Sequence, residues 1–407
     1  MATPFENKKI LLGVTGSIAA YQAADLAAIL TSSGAMVDTV MTENAARFVS
    51  PLTFQTVTAR QVFTDQGFWQ GAEHTPHIEL ARNADLALIA PATANTIARL
   101  AHGIADNLLT LTMLAAQCPV VIAPAMDSGM YEHPATVENV RILKNRGVIF
   151  LEPTVGHLVS GWAGIGCMVE PAEILPQIRF LLSRRGHMTG KKILVTAGST
   201  QEPIDPVRTI VGRSAGRLGY AIAQAGLDNG ADVVLISAPT TLIAPFGVKK
   251  IPVSTAQEMY SAVMAEIDGC YALIMAASVA DFRPLQPSAQ KIKKMSGIPQ
   301  IDLEPTADIL AEVAACQVRT GIPEHMIGFA DETQDVIPNA FAKLEAKHLD
   351  MMVVNDISAP ETSFDSPNIK VSLLYFDGRI EELPLLTEEL VAENLIHRIE
   401  TWSSEIK

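Results

Sequence analysis

The sequence is short of cysteine, of positive charge and of long apolar runs, and each shortage removes a class of protein. Its four cysteines, Cys118, Cys167, Cys270 and Cys316, are scattered without CxxC spacing or a plausible disulfide framework, so they read as reduced thiols. No apolar run approaches the ~18–20 residues of a membrane span, because a charged residue interrupts each candidate. The formal net charge of −14 argues against a surface that coats nucleic acid, although a local basic cluster can still meet an anionic small molecule. The first glycine turn lacks GxGxxG, and no acidic residue ends the second strand in the required context, which disfavours a nicotinamide dehydrogenase. MATPFENKK runs directly into a strand-like segment with no signal-peptide pattern, so a cytoplasmic location is expected.

What is present is ample apolar material. At 407 residues, 48% apolar and 18% charged, the chain can build two or three cores, and wholesale disorder is excluded. KKILLGVTGS at 8–17 and KKILVTAGST at 191–200 resemble each other, each a short strand ending in a Gly/Ser/Thr turn. The polar, glycine-containing stretch 184–190 between them is read as a linker, dividing the chain into domains 1–183 and 191–407. In the first, strands are expected at 9–14, 36–41, 85–92, 119–126 and 148–153, with a helix at 17–33. In the second, strands at 192–197, 231–239, 272–278, 326–330 and 351–356 alternate with helices at 216–229, 256–267, 306–317 and 338–348. Asp377-Gly378 then marks a hairpin. Strand–helix alternation with apolar strands predicts an α/β fold of two Rossmann-like domains with mostly parallel sheets. Ligands in such sheets sit outside the carboxyl ends of the strands, where every motif below falls.

In the first half, GVTGSIAAY places Gly16, Ser17 and Ile18 at a strand-to-helix turn suited to a phosphate, although a tight turn alone also explains such a glycine. Thr42 ends the second strand with another hydroxyl, and PATANTIARLAHGIADNLLT brings Pro91, Thr93, Ala94 and Asn95 to the end of the next. Together with PAMDSGMYEHPA, these motifs resemble the FMN-dependent cysteine decarboxylase family, in particular the phosphopantothenoylcysteine decarboxylases, over residues 8–175. The resemblance implies a flavodoxin-like FMN-binding domain, with the cofactor against Gly16, Ser17, Ile18, Thr42, Pro91, Thr93, Ala94 and Asn95. The family's catalytic histidine falls on His77. With Thr75 as N-cap and Pro76 at the first helical position, the helix dipole disfavours imidazolium and leaves a ring able to accept a proton. By the same resemblance the substrate's cysteine thiol is oxidised towards a thioaldehyde, CO₂ leaves, and the electrons return from the reduced flavin.

The chain departs from that family at three site positions. Asp127 stands where an asparagine meets the substrate carboxylate, and two carboxylates repel unless one is protonated. The substrate clamp reads VSGWAGIGCM, with Ser160 at the position of the proton-donating cysteine and Cys167 at that of an arginine. A thiol has a reference pKa of about 8.5 and a serine hydroxyl is a far weaker acid, so Ser160 is a poor donor and Cys167 is the alternative on the same loop.

In the second half, Glu202, Asp205 and Arg208 lie in a proline-stiffened loop before a Ser/Gly turn at Ser214–Gly216 that can present amides to a phosphate. MAASVADFRP, KIKK, IGFADET, KLEAKHLD and VVNDIS follow; a solvated basic face is the usual reading of the lysine clusters, and Lys343 and Lys347, four apart on a helix, point the same way. In this order the motifs resemble the phosphopantothenate–cysteine ligases over residues 191–400. CTP would then activate 4′-phosphopantothenate as an acyl-cytidylate and cysteine would displace CMP. Met275, Ala276, Ala277, Asp281, Lys291, Asp308, Phe329, Lys343 and Lys347 match nucleotide-binding positions, and Ser214, Gly216, Lys293 and Asn355 match substrate-binding ones. Mg²⁺ would accompany the triphosphate, with Asp281 as its one suggested carboxylate. Gly212 replaces an asparagine that assists acyl transfer in this family, which predicts a weaker second step unless Arg213 contributes.

The resemblances imply consecutive steps of coenzyme A synthesis in one homo-oligomer, built from trimeric flavoprotein and dimeric ligase units. The partners are small molecules: 4′-phosphopantothenate, cysteine, CTP and phosphopantothenoylcysteine. Two alternatives stay open: an active ligase on a catalytically impaired FMN-binding scaffold, and a non-catalytic flavin-binding regulator.

Overall fold

The computed structural model describes residues 3–66, 75–157, 161, 163–293, 299–332, 334–356 and 368–405. Two compact units divide the chain, Ala2–Leu182 and Ser183–Lys407. In the first, β1 (Lys9–Val14), β2 (Met36–Met41), β3 (Val62–Thr64), β4 (Leu86–Ala92), β5 (Val120–Pro124) and β6 (Ile149–Phe150) form one parallel sheet in the order β3-β2-β1-β4-β5-β6. Without the short edge strand β3 this is the flavodoxin order, and the direction of winding reverses between β1 and β4. Alternation along each strand feeds two cores. Ile10, Leu12, Leu86 and Leu88 pack with the helices Ala20–Ser32 and Pro171–Ser183 on one face. Leu11, Ala87, Ile89 and Ile122 pack with Ile97, Leu109 and Leu143 on the other. A hairpin of β7 (Thr154–His157) and β8 (Ala163–Cys167) follows.

The second unit repeats the plan. Its large sheet contains β9 (Lys192–Ala197), β12 (Asp232–Ser237), β13 (Lys249–Pro252), β14 (Cys270–Met275), β17 (His325–Glu332), β18 (Met351–Asp356), β20 (Val371–Tyr375) and β21 (Ile380–Glu382). Their order is β13-β12-β9-β14-β17-β18-β20-β21, parallel as far as β18 and antiparallel beyond, and winding reverses between β9 and β14. Gly378, at φ +86°, makes the turn between β20 and β21 as its sequence demands. Three small antiparallel pairs stand apart among the described residues: β10 (Gln201–Pro203) with β11 (Thr209–Val211), β15 (Phe282–Pro284) with β16 (Leu303–Pro305), and β19 (Asn368–Ile369) with β22 (Leu386–Thr387). Among the described residues no helix is long and apolar enough to cross a membrane.

Several boundaries differ from expectation for identifiable reasons. The first helix begins at Ala20 rather than 17, because Ser17 donates back to the Thr15 carbonyl and forms a turn. The helix expected at 306–317 runs Ile309–Thr320, since Thr306 is bonded to the carbonyls of Ala280 and Asp281 and Asp308 provides the cap. Residues 184–190 pack into the second unit: Met188 is fully buried, and its amide donates to the Asn229 carbonyl at 2.8 Å. The loop expected around Asp205 is the β10–β11 hairpin.

The helix Arg217–Asp228, which opens at the phosphate-type turn, lies close on β9. A Cβ at Gly219 would fall 2.6 Å from Ala197 Cβ and 3.0 Å from the Thr196 carbonyl oxygen. Gly219→Ala is therefore expected to destabilise the second unit by about 1–3 kcal/mol, as overpacking does, measured as a lower urea midpoint.

Candidate functional site

At the carboxyl end of β1 the chain places Thr15, which is 1% exposed. Its hydroxyl donates to the Pro91 carbonyl at 2.7 Å and accepts from the Thr93 amide at 3.1 Å, joining the ends of β1 and β4 across the winding reversal. Gly16 follows because nothing larger fits: a Cβ there would lie 2.5 Å from Asn44 Cβ. Two cavities open around this point. One, of about 620 Å³, is lined by Gly16, Ser17, Ile18, Thr93, Asp127 and Cys167, among others. The other, of about 910 Å³, includes Gly16, Thr42, Asn44, Thr93 and Asn95. The structure thus brings together Gly16, Ser17, Ile18, Thr42, Thr93 and Asn95 as wall residues. Pro91 is buried behind them and Ala94 begins the helix Ala94–His102. The hydroxyls of Thr42 and Thr93 also cap helices, accepting from the amides of Ala45 and Thr96. A glycine turn with hydroxyl and amide side chains around it is a donor set that suits a phosphate and a flat ring laid against the backbone.

The far wall of the smaller cavity comes from β5 and the β7–β8 hairpin. Asp127 is the N-cap of the helix Ser128–Tyr131 and accepts from the Gly129 amide at 3.0 Å, so this carboxylate has a local structural task as well as a place in the cavity. Cys167 lies on β8, its Sγ 3.9 Å from the His157 carbonyl oxygen. Ser160 lies outside the described residues. Tyr131, which follows the cavity residue Met130, donates to Glu152 at 2.8 Å, and Lys144 reaches the same carboxylate at 2.5 Å. Burial, then the Glu152 carboxylate, pushes the Tyr131 phenol above its usual range. Burial acts against ionised Glu152, but the Lys144 and Tyr131 donors outweigh it and hold that carboxyl below the usual glutamate value.

His77 occupies the first turn of the helix Pro76–Asn83, as its sequence context demands, although Thr75 makes no side-chain cap bond. The half-buried histidine lines neither cavity.

In the second unit the corresponding crevice is closed by the buried Thr196, whose hydroxyl accepts from the Ala277 amide at 3.1 Å, and by Thr200, which accepts from Ala280 at 2.9 Å. Gly216 adopts φ +81°, where a Cβ would lie 2.8 Å from the Gly198 nitrogen. A cavity of about 90 Å³ beside it is lined by Ser214, Gly216, Ala276, Phe329, Asp331 and Asn355, among others. Asn355 Nδ2 donates to Asp331 at 3.1 Å, while its Oδ1 is buried and has no partner among the described residues. An acceptor left this way costs stability unless a ligand donor meets it. Glu388, on the same wall, is raised by burial even though Arg217 lies 3.3 Å away.

Met275 and Ala277 flank that wall, and Asp281, Lys291, Lys293, Asp308, Lys343 and Lys347 are not part of it. The two helical lysines do not share a target: Lys343 pairs with Glu332 at 2.6 Å and Lys347 with Asp308 at 3.5 Å. The helix ends at Ala346 and Lys347 is its C-cap, its amide still donating to the Lys343 carbonyl at 3.1 Å, so the two side chains part by their partners and not by a break in the helix. Asp308 also caps its own helix, accepting from Ala311. A Cβ at Gly212 would lie 2.6 Å from Ser278 Oγ, so a serine hydroxyl takes the space next to the glycine. Among the described residues no group of three His, Cys, Asp or Glu side chains could hold a metal ion. Sequence reasoning missed Thr15, Asn44, Ser278, Asp331 and Glu388; only a hydroxyl at the end of an apolar strand, repeated at Thr15 and Thr196, offered a signal.

Fold and site define a chain of two α/β units, each with a ligand crevice where its sheet reverses, the first of flavoprotein type. A model described as "Flavoprotein" matches residues 2–183, and one described as "DNA/pantothenate metabolism flavoprotein C-terminal domain" matches residues 188–402. The coenzyme A biosynthesis bifunctional protein CoaBC of Bacillus subtilis is 41% identical over 402 residues, 98% of each chain. That of Vibrio cholerae is 42% identical over 396 residues, 97% of this chain and 98% of the relative. A solved C-terminal domain of a CoaBC protein is 36% identical and covers 54% of this chain and 99% of its own, with a TM-score of 0.46. The chain belongs to the family of coenzyme A biosynthesis bifunctional proteins, and it is a bifunctional enzyme.

Thr15→Val keeps the volume but leaves the Pro91 carbonyl and the Thr93 amide without the hydroxyl they share at a buried position. A loss of about 1–3 kcal/mol in the first unit is expected, read as a lower denaturation midpoint, with Thr15→Ser recovering most of it.

Proposed function

We propose that the second unit joins cysteine to 4′-phosphopantothenate at the expense of CTP, through an acyl-cytidylate, and that the first unit decarboxylates the resulting phosphopantothenoylcysteine to 4′-phosphopantetheine with FMN. The observation that carries the reading is the convergence of Gly16, Ser17, Thr93, Asp127 and Cys167 on one crevice at the β1–β4 reversal. The full-length likeness to CoaBC proteins supports it.

Gly16, Ser17, Ile18, Thr42, Thr93 and Asn95 would hold FMN, with Pro91 and Ala94 shaping the wall behind. When bound, FMN supplies the oxidation of the cysteine thiol that lets CO₂ depart, and returns the electrons afterwards. The chain's own groups position and move protons. Asp127, fixed by its capping bond, meets the substrate carboxylate best when one of the two carries a proton. The Cys167 thiol is a better acid than the Ser160 hydroxyl for the closing protonation. His77 is the base. Because it lines neither cavity of a single chain, a neighbouring copy completes the site, in keeping with a homo-oligomer of trimeric flavoprotein and dimeric ligase units.

In the ligase unit Ser214, Gly216 and Asn355 would receive substrate. Met275, Ala276, Ala277, Asp308 and Phe329 would frame the nucleotide, and Lys291, Lys293, Lys343 and Lys347 would meet the triphosphate. Lys343 and Lys347 would first exchange their carboxylate partners for phosphate. Mg²⁺ would travel with the triphosphate, with Asp281 its single protein carboxylate. The Ser278 hydroxyl beside Gly212 stands ready to assist acyl transfer.

His77→Asn should leave the flavin absorbance of the purified protein unchanged and lower CO₂ release from phosphopantothenoylcysteine by at least about 100-fold. CTP- and Mg²⁺-dependent pyrophosphate release, with 4′-phosphopantothenate present, should continue at the parent rate. Colourless protein that cannot be reconstituted with FMN, or undiminished CO₂ release from His77→Asn, would overturn the first-unit reading. Absence of CTP-dependent pyrophosphate release would overturn the second.

A further inference from the structure

The Asp205 side chain is completely shielded from solvent, and its two oxygens have different employment. Oδ1 accepts from the amides of Val207 at 2.8 Å and Arg208 at 2.9 Å, which closes the turn between β10 and β11. A neutral asparagine supplies that service equally well. Oδ2 reaches out of the hairpin and accepts from the Ile292 amide at 3.1 Å, 87 residues along the chain. It also pairs with Arg208 Nη1 at 2.9 Å, and that same nitrogen donates to the Ile292 carbonyl at 3.1 Å. Both backbone groups of Ile292 are therefore gripped by one carboxylate–guanidinium pair. Ser288 adds a second tie, its amide donating to the Ile204 carbonyl at 2.9 Å.

Ile292 is the residue between Lys291 and Lys293, both of which are exposed. A buried charge costs stability unless every lone pair is met, and here the charge is retained where a neutral cap would serve the turn. What the charge adds is the hold on Ile292. With its amide and carbonyl fixed, the Cα positions on either side are fixed too, and only side-chain rotation is left to the two lysines.

We propose that Asp205 is a positioning residue of the ligase unit: through Oδ2 and Arg208 it clamps the Ile292 backbone and so sets where the Lys291 and Lys293 ammonium groups meet the nucleotide triphosphate. The inference rests on the reading that this lysine loop holds CTP. The clamp makes no contact with substrate and acts only through the lysines.

Asp205→Asn separates the two roles, since one amide oxygen can still serve Val207 and Arg208 while the NH₂ opposes the Ile292 amide and the guanidinium. In the full-length protein with Mg²⁺, the KM for CTP in pyrophosphate release should rise about ten-fold, the loss expected for a charge-assisted contact. The KM for cysteine should stay near the parent value, hydrogen exchange of the 288–293 segment should accelerate, and the melting temperature should fall modestly, because a shielded donor then faces two donors. Lys291→Gln is measured alongside. If it leaves the KM for CTP unchanged, the reading of the lysine loop fails and the clamp fails with it. If Lys291→Gln weakens CTP and Asp205→Asn does not, the clamp alone is overturned. The double variant should lose less CTP binding than the product of the two single effects, because only Lys293 is then left for the clamp to position; full multiplication overturns the proposal, because Asp205 would then act independently of Lys291. Should Asp205→Asn fold poorly, Arg208→Met, which removes the hold on the Ile292 carbonyl together with the ion pair to Asp205 and leaves the Ile292 amide bonded to Oδ2, should raise the same KM in the same direction, and an unchanged KM would overturn the clamp.

Discussion

A buried threonine hydroxyl at the end of the first strand is the constraint on which each unit's site depends. Where a parallel sheet reverses its winding, two strand ends diverge and leave backbone groups facing a crevice instead of a neighbouring strand. Thr15 answers this in the first unit by donating to Pro91 of β4 and accepting from Thr93, the helix cap that follows it. Thr196 and Thr200 answer it in the second by accepting from Ala277 and Ala280. A hydroxyl suits the task because it donates and accepts from a single small atom. With the strand ends tied, the glycine turns beside them, at Gly16 and at Gly198–Gly216, hold positions at which a ligand can lie against the backbone.

The architecture was legible because its signals are local and repeated. Apolar strands separated by helical stretches announced two parallel sheets, and the alternation that fills two cores per sheet is written in residues such as Ile10-Leu11-Leu12. The glycine turns were legible for the same reason. Tertiary pairing was not. Lys343 and Lys347 suggested a common target by spacing alone, yet each finds its own carboxylate, on β17 and before the helix Ile309–Thr320. The β10–β11 hairpin was hidden by its prolines, which read as loop chemistry. His77 was placed in the right helix turn by capping logic, but a first-turn position says nothing about which cavity the ring adjoins.

Of the positions that the sequence reading marks as departures, the structure gives Asp127, Cys167 and Gly212 a physical setting, while Ser160 lies outside the described residues. Asp127 is engaged by a helix amide, so its position is fixed independently of substrate. Cys167 stands in the wall of the crevice rather than on its rim strand's far face. Gly212 leaves room that the Ser278 hydroxyl takes.

In the proposed function the product of the second unit is the substrate of the first. Supplying the intact protein with CTP, Mg²⁺, 4′-phosphopantothenate and carboxyl-labelled cysteine, and following labelled CO₂ against pyrophosphate, measures this directly. One CO₂ released for each pyrophosphate, after a lag in which phosphopantothenoylcysteine accumulates, is the predicted result. Steady pyrophosphate release with the label retained in phosphopantothenoylcysteine would contradict it.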